Sequence, residues 1–169
     1  MTSHPSRRGR LSGSEAVHNE EKIIVKRYEY EEPYHLHLDF FISNGNLTSS
    51  IDIYSSPEEL KKIGHGLASF PSKVGDEYCY VYGSEDPADR FYRYFHIRAY
   101  TIDSPGHCAI QFKTQLNQAE PNEGQSLFSL VADPAAINRL GKLFIEFSKL
   151  KHKEFHWSPA ADEMFKERQ

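Results

Sequence analysis

The chain is poor in the features that assign a function quickly. Its 169 residues include only two cysteines, Cys79 and Cys108, too few for a disulfide framework. Both sit among strand-forming residues and belong to no CxxC or Cys/His cluster. Two reduced, packed thiols and no zinc site are expected. Apolar runs such as Phe40-Phe41-Ile42 are only a few residues long, whereas a membrane-spanning helix needs about 20. Residues 1–20 lack the apolar stretch of roughly 7–15 residues that marks a secretory signal, so a cytoplasmic protein is expected. No GxSxG, HExxH, P-loop or GxGxxG pattern is present. There is no basic stripe either. A nucleic-acid binder meets phosphates with clustered cations, yet the net charge is −4, and residues 29–89 hold twelve acids against three bases, Lys61, Lys62 and Lys73. Neither nucleic acid nor membrane is therefore an expected partner.

What the chain does have is aromatics, with 10 Tyr, 11 Phe and one Trp. That excludes a disordered polymer, and the length suits one domain with a tail. Residues 1–21 read as a disordered leader. Residues 22–150 read as a single α+β domain. Residues 151–169 read as a charged C-terminal extension, with a pattern that allows a short helix over Pro159–Arg168.

Within the domain, Lys22–Tyr30 reads as a strand burying Ile23, Val25 and Tyr28. In Tyr34–Ser43, Leu36, Leu38, Phe40 and Ile42 alternate onto one face and His35, His37, Asp39 and Phe41 onto the other. Asn44-Gly45 suits a two-residue hairpin turn, which would set Leu38 against Ile51 and His37 against Asp52. Ser56-Pro57-Glu58-Glu59 then opens a helix with a cap, an early proline and a capping-box glutamate. Leu60, Ile63, Leu67 and Phe70 form its buried stripe, and Gly64 and Gly66 suit close approach to a sheet.

Asp76–Gly83 is a tyrosine-rich strand, and Phe91–Ile102 a long one. Pro105-Gly106 fits the centre of a type II turn before a return strand that buries Cys108, Ile110 and Phe112. Ser126–Ala132 is a further strand. Asp133-Pro134 opens the second helix, with Ile137, Leu140, Phe144 and Phe147 inward and Gly141 close to the sheet. Short connections between strands predict antiparallel pairing. The expected fold is α+β, a mainly antiparallel sheet of about six to seven strands with two main helices packed against it.

Few residues in this pattern suggest bond-making chemistry. His35 and His37, with Asp52 opposite and His96 and His107 on neighbouring strands, are the only candidates for a metal site. A cross-strand His–Asp pair on a solvated sheet is the favoured reading of the first three, and no metal is expected. His107 points away from Cys108 on its strand, so the two cannot form a nucleophile pair. No cofactor is expected. The candidates for partner binding are the acidic turn Glu85, Asp86 and Asp89, and Tyr92, Tyr94 and Arg98 on one strand face, since Tyr and Arg anchor protein interfaces.

Several segments are familiar in combination. They are Gly83-Ser84-Glu85-Asp86, the strand ending in Asp103-Ser104-Pro105-Gly106-His107, and Asp133-Pro134-Ala135-Ala136-Ile137-Asn138-Arg139-Leu140-Gly141-Lys142-Leu143. With the Ile42-Ser43-Asn44-Gly45 hairpin and the Phe70-Pro71 helix end, the chain resembles the WapI-like immunity proteins of bacterial polymorphic toxin systems over about residues 34–150. The resemblance implies a cytosolic, non-enzymatic protein that binds and blocks a toxin domain. Many such toxins are nucleases with basic surfaces, which would suit the acidic stretch. It assigns no contact residue. A small metal-dependent enzyme or a general interaction domain are the alternatives, and the aromatic content is compatible with a homodimer.

Overall fold

A computed structural model describes residues 20–166, so the expected leader falls almost wholly outside the described residues. Strands β1 (Lys22–Tyr28), β2 (Leu36–Ser43) and β3 (Thr48–Ser55) lead into helix α1 (Pro57–Ala68). Strands β4 (Glu77–Gly83), β5 (Arg93–Ser104), β6 (His107–Leu116) and β7 (Gly124–Ala132) lead into α2 (Pro134–Phe147), and β8 (His152–Trp157) and β9 (Asp162–Lys166) follow. Every pairing is antiparallel. Among the described residues there are two sheets, one of five strands in the order β3-β2-β1-β8-β9 and one of four in the order β4-β5-β6-β7. The α+β class, the antiparallel pairing and the two helices agree with the sequence pattern. The strand count rises to nine because the segment after Leu150 supplies two strands.

That segment is not a charged extension with a short helix. Phe155 and Trp157 alternate with Glu154 and His156 along β8, and both aromatic rings are buried. β8 pairs with β1, Ile23 opposite Trp157. The indole Nε1 of Trp157 donates to Ala136 O at 2.9 Å, tying the strand to α2. Where a helix was expected, Ser158 caps a turn by accepting Ala160 N–H and Ala161 N–H. Arg139 clamps the same turn through Ser158 O, Pro159 O and Asp162.

The β2–β3 register differs from the expected one by two residues. Ser43 pairs with Thr48 and Leu38 with Ile53, so His37 lies opposite Tyr54 and Asp39 opposite Asp52. The side chain of Asn44 is the cause. Its Oδ1 accepts the N–H groups of Asn46 and Leu47, which moves Asn44 out of the turn centre and leaves Gly45 at φ 92°. A two-residue shift keeps every side chain on its face, so the buried set survives the change. The β5–β6 turn does use Pro105-Gly106, but Gly106 lacks the positive φ that type II requires.

One buried cluster joins both sheets and both helices. Phe40 of the first sheet meets Phe95 of the second at 4.9 Å between ring centroids and Phe144 of α2 at 6.3 Å. Phe155 lies edge-on to Phe144 and Phe147. The sheets meet along β3, where Ser49 Oγ reaches Thr114 Oγ1 and Ser126 Oγ, both at 2.9 Å. Both helices start as expected, with Ser56 accepting Glu59 N–H and Asp133 accepting Ala136 N–H. The Glu59 carboxylate takes Ser55 Oγ–H instead of closing the capping box. Gly64 and Gly141 face each other across the α1–α2 crossing rather than a sheet. A Cβ on Gly141 would lie 2.3 Å from Ala68 N, so the helices approach backbone to backbone.

Strand parity also corrects two burial expectations. Tyr28 is exposed, and Arg27 takes the inward position in its place. The Arg27 guanidinium donates to His152 O, Leu150 O and Glu32, which satisfies the buried charge. Cys108 is buried, but Cys79 is exposed on the outward face of β4. Partial burial and the neighbouring Glu77 push its thiol up to about 11, which leaves it protonated and unreactive at neutral pH.

Candidate protein-binding surface

The residues singled out in the sequence do not form one site. His35 is exposed and precedes β2. His37 Nε2 does lie 3.2 Å from Asp52 Oδ2, on the diagonal rather than directly opposite. His107 pairs with Asp103 at the β5–β6 turn, at 2.9 Å, and His96 is on the other sheet. Among the described residues no group of three or more His, Cys, Asp or Glu side chains has the geometry to hold a metal ion. The acids of the β4–β5 loop are each engaged locally. Glu85 pairs with Lys113 at 2.7 Å, Asp86 caps the 3-10 turn at Pro87–Asp89, and Asp89 takes Ser84 Oγ–H.

The proposed Tyr/Arg face also divides. β5 begins at Arg93, so Tyr92 stands in the preceding loop and is 74% exposed. Tyr94 is buried on the outward face of the second sheet, near His96 and under Lys113. Arg98 on that face bridges to Glu77 at 3.1 Å and stacks on Tyr100. The charges of Arg98, Glu77, Glu85 and Lys113 are thus already paired within the chain.

A different set of rings lies together in solvent. On the outward face of the first sheet, His37 stacks on Tyr54 with centroids 5.1 Å apart, and Tyr28 leans on His37 at 5.8 Å. Tyr30, from the β1–β2 loop, packs on Tyr54 from the other side at 5.1 Å. β1 and β3 bring Tyr28 and Tyr54 outward because Ile23, Val25, Ile51 and Ile53 occupy the inward parity. Tyr54 also borders a depression whose far wall is Phe91 and Tyr92 from the β4–β5 loop. Tyr28, Tyr30, Tyr54, Phe91 and Tyr92 are all between 43% and 74% exposed, an aromatic density that a solvated surface seldom carries without a partner.

A polar network fixes this surface. Arg93 Nε donates to Asp52 Oδ1 at 2.8 Å, linking the start of β5 to β3. Asp52 feels partial burial, which pushes its pKa up, but the bonds from His37 and Arg93 outweigh that and hold it below the usual carboxylate range. Asp39, directly across from Asp52, shifts the other way because of burial first and the facing carboxylate second. The carboxylate-bearing loops flank the rings, with Glu29 and Glu31 before β2 and Asp86 and Asp89 before β5.

Sequence reasoning missed Tyr28, Tyr30, Tyr54 and Phe91. The parity signal was present, because Tyr28 is out of phase with Ile23 and Val25, as Tyr54 is with Ile51 and Ile53. The meeting of two distant loops at β3 had no local signal. The chain matches no family model, no curated protein and no solved structure. Among the described residues no helix is long and apolar enough to cross a membrane.

Proposed function

We propose that the chain is a cytoplasmic, non-enzymatic binding protein of the immunity type, which neutralises the toxic C-terminal domain of a polymorphic toxin by occupying it. The observation that carries the reading is the ring surface of Tyr28, Tyr30, Tyr54, Phe91 and Tyr92, exposed on the first sheet and the adjoining loop. Tyr and Arg side chains of this kind dominate binding energy at protein interfaces. The acidic residues on the same loops favour a basic partner and speed its approach. The immunity role itself rests on the sequence resemblance, and the surface supports the binding that the role requires.

The test is co-expression of the chain with the toxin domain encoded beside it. Rescue of growth, together with a one-to-one complex in solution, is the expected result. Tyr54→Ala and Tyr92→Ala should each weaken that complex by about tenfold or more with the fold unchanged. Cells that die despite abundant folded protein would end the immunity role. A general interaction domain with another partner would then be left, and the same two variants would map its surface.

A further inference from the structure

The depression between β3 and the β4–β5 loop has a volume of about 350 Å³. Tyr54, Phe91 and Tyr92 wall it, and its charged groups are Asp52, Arg90 and Arg93. The charge count there runs against the acidic trend of residues 29–89. Asp52 has both carboxylate oxygens engaged, Oδ1 by Arg93 and Oδ2 by His37. Arg93 uses only Nε for that bond, and among the described residues its two terminal nitrogens meet no acceptor. Arg90 makes no side-chain hydrogen bond or ion pair among the described residues. The loop holds it in place with a left-handed backbone, φ 57°, and a bond from its N–H to Pro87 O. Glu85, Asp86 and Asp89 of the same loop are committed to Lys113, Ala88 N–H and Ser84, so none of them pairs with Arg90.

We infer that this depression is a carboxylate-accepting subsite, in which Arg90 and the free end of Arg93 receive an acidic group presented by the partner protein. Guanidinium forks bind carboxylates through paired, charge-assisted hydrogen bonds. The aromatic walls are half-exposed or more in the free chain, so water leaves and those bonds strengthen only when the partner covers them. A nucleic-acid strand carries the same kind of charge, but it would have to run past Glu29, Glu31, Asp86 and Asp89. A single carboxylate need not. The partner is then basic over most of its contact and acidic at one point, which fixes its orientation as well as its approach. This subsite rests on the reading of the ring surface as the partner-binding face.

The experiment follows the backbone amides of residues 90–93 and the Arg93 Nε–H by NMR while three N-acetylated tripeptides and inorganic phosphate are titrated separately. One peptide is acetyl-Gly-Glu-Gly-amide, one is its neutral Gln counterpart, and one is the Gln peptide with a free terminal carboxylate. Saturable shifts with either acidic peptide and none with the neutral one are expected, and the peptide that responds names the source as a side chain or a chain end. Arg90→Asn, which suits a left-handed backbone, should weaken the response by about tenfold, the loss of one charge-assisted bond. Equal shifts from the neutral peptide, a stronger response to phosphate, no saturable shift, or an Arg90→Asn variant that behaves like the parent would each overturn the subsite. If the subsite fails while Tyr54→Ala still abolishes partner binding, the ring surface stands. If Tyr54→Ala leaves partner binding intact while the peptide responses hold, the ring surface falls, and the depression is left accepting a carboxylate that this partner does not present.

Discussion

Asp39 and Asp52 show how one cross-strand position can hold two carboxylates of opposite character. Both lie on the outward face of the first sheet, directly paired, and like charges so placed destabilise a sheet. Asp52 escapes through Arg93 and His37, whereas Asp39 accepts no side-chain bond among the described residues. Asp39→Asn should therefore raise stability at neutral pH by about 0.2–1 kcal/mol, the worth of a cross-strand charge pair. The sign follows from linkage. The folded chain holds the Asp39 proton more tightly than the unfolded chain does, so this group's contribution is full below its ordinary value of 3.8 and is lost as pH climbs through the raised one. The gain from Asp39→Asn should accordingly vanish as pH falls below the ordinary value, which urea melts at pH 7 and about pH 3 would compare. Asp52→Asn should act in the opposite sense. It should cost about 0.2–1 kcal/mol at pH 7, the range for an exposed ion pair, and that cost should disappear on acidification, because a depressed carboxylate contributes above its ordinary value and loses that contribution as pH falls through the lowered one.

The helices were the most legible elements, and the crossing between them was the least. Cap, proline and stripe identify α1 and α2 from local chemistry, and Leu60, Ile63, Leu67, Ile137, Leu140, Phe144 and Phe147 are all buried. The use of their glycines depends on the neighbour, which local pattern does not encode. Gly141→Ala should destabilise the protein by about 1–3 kcal/mol through overpacking, despite the better helix propensity of alanine, because the new methyl meets the Ala68 and Gly64 backbones. Gly66→Ala should cost less. Its methyl would meet the Tyr78 ring, and a side chain can turn aside where a helix backbone cannot. Thermal melts of the two variants would rank them. The β2–β3 hairpin was legible in its faces but not in its register, because the Asn44 side chain, and not the Asn-Gly dipeptide, decides where the turn closes. β8 and β9 were hidden by their charge, since only Phe155 and Trp157 mark the inward parity of β8 among histidines, a lysine and a glutamate.

At the scale of the whole molecule, these two late strands complete the first sheet. Phe155→Ala should cost about 3–5 kcal/mol, as for other buried phenylalanines, and a chain cut after Leu150 should lose its cooperative melt. An intact, cooperative transition in the shortened chain would show that the first three strands and the helices suffice. The complex with a partner should weaken as salt rises, because the acidic loops are exposed and are screened over roughly 10 Å at 0.1 M salt, and calorimetry at two ionic strengths would measure this. The order β3-β2-β1-β8-β9 also sets a timetable for biosynthesis. While the ribosome is still working, β1 can zip to β2, but its other rim stays bare until residue 157 has cleared the exit tunnel, because Ile23 waits for Trp157. The nascent chain thus carries an open strand template from the emergence of β1 to that of β8, and a holdase that shields that rim would have its work done at the moment β8 slots in.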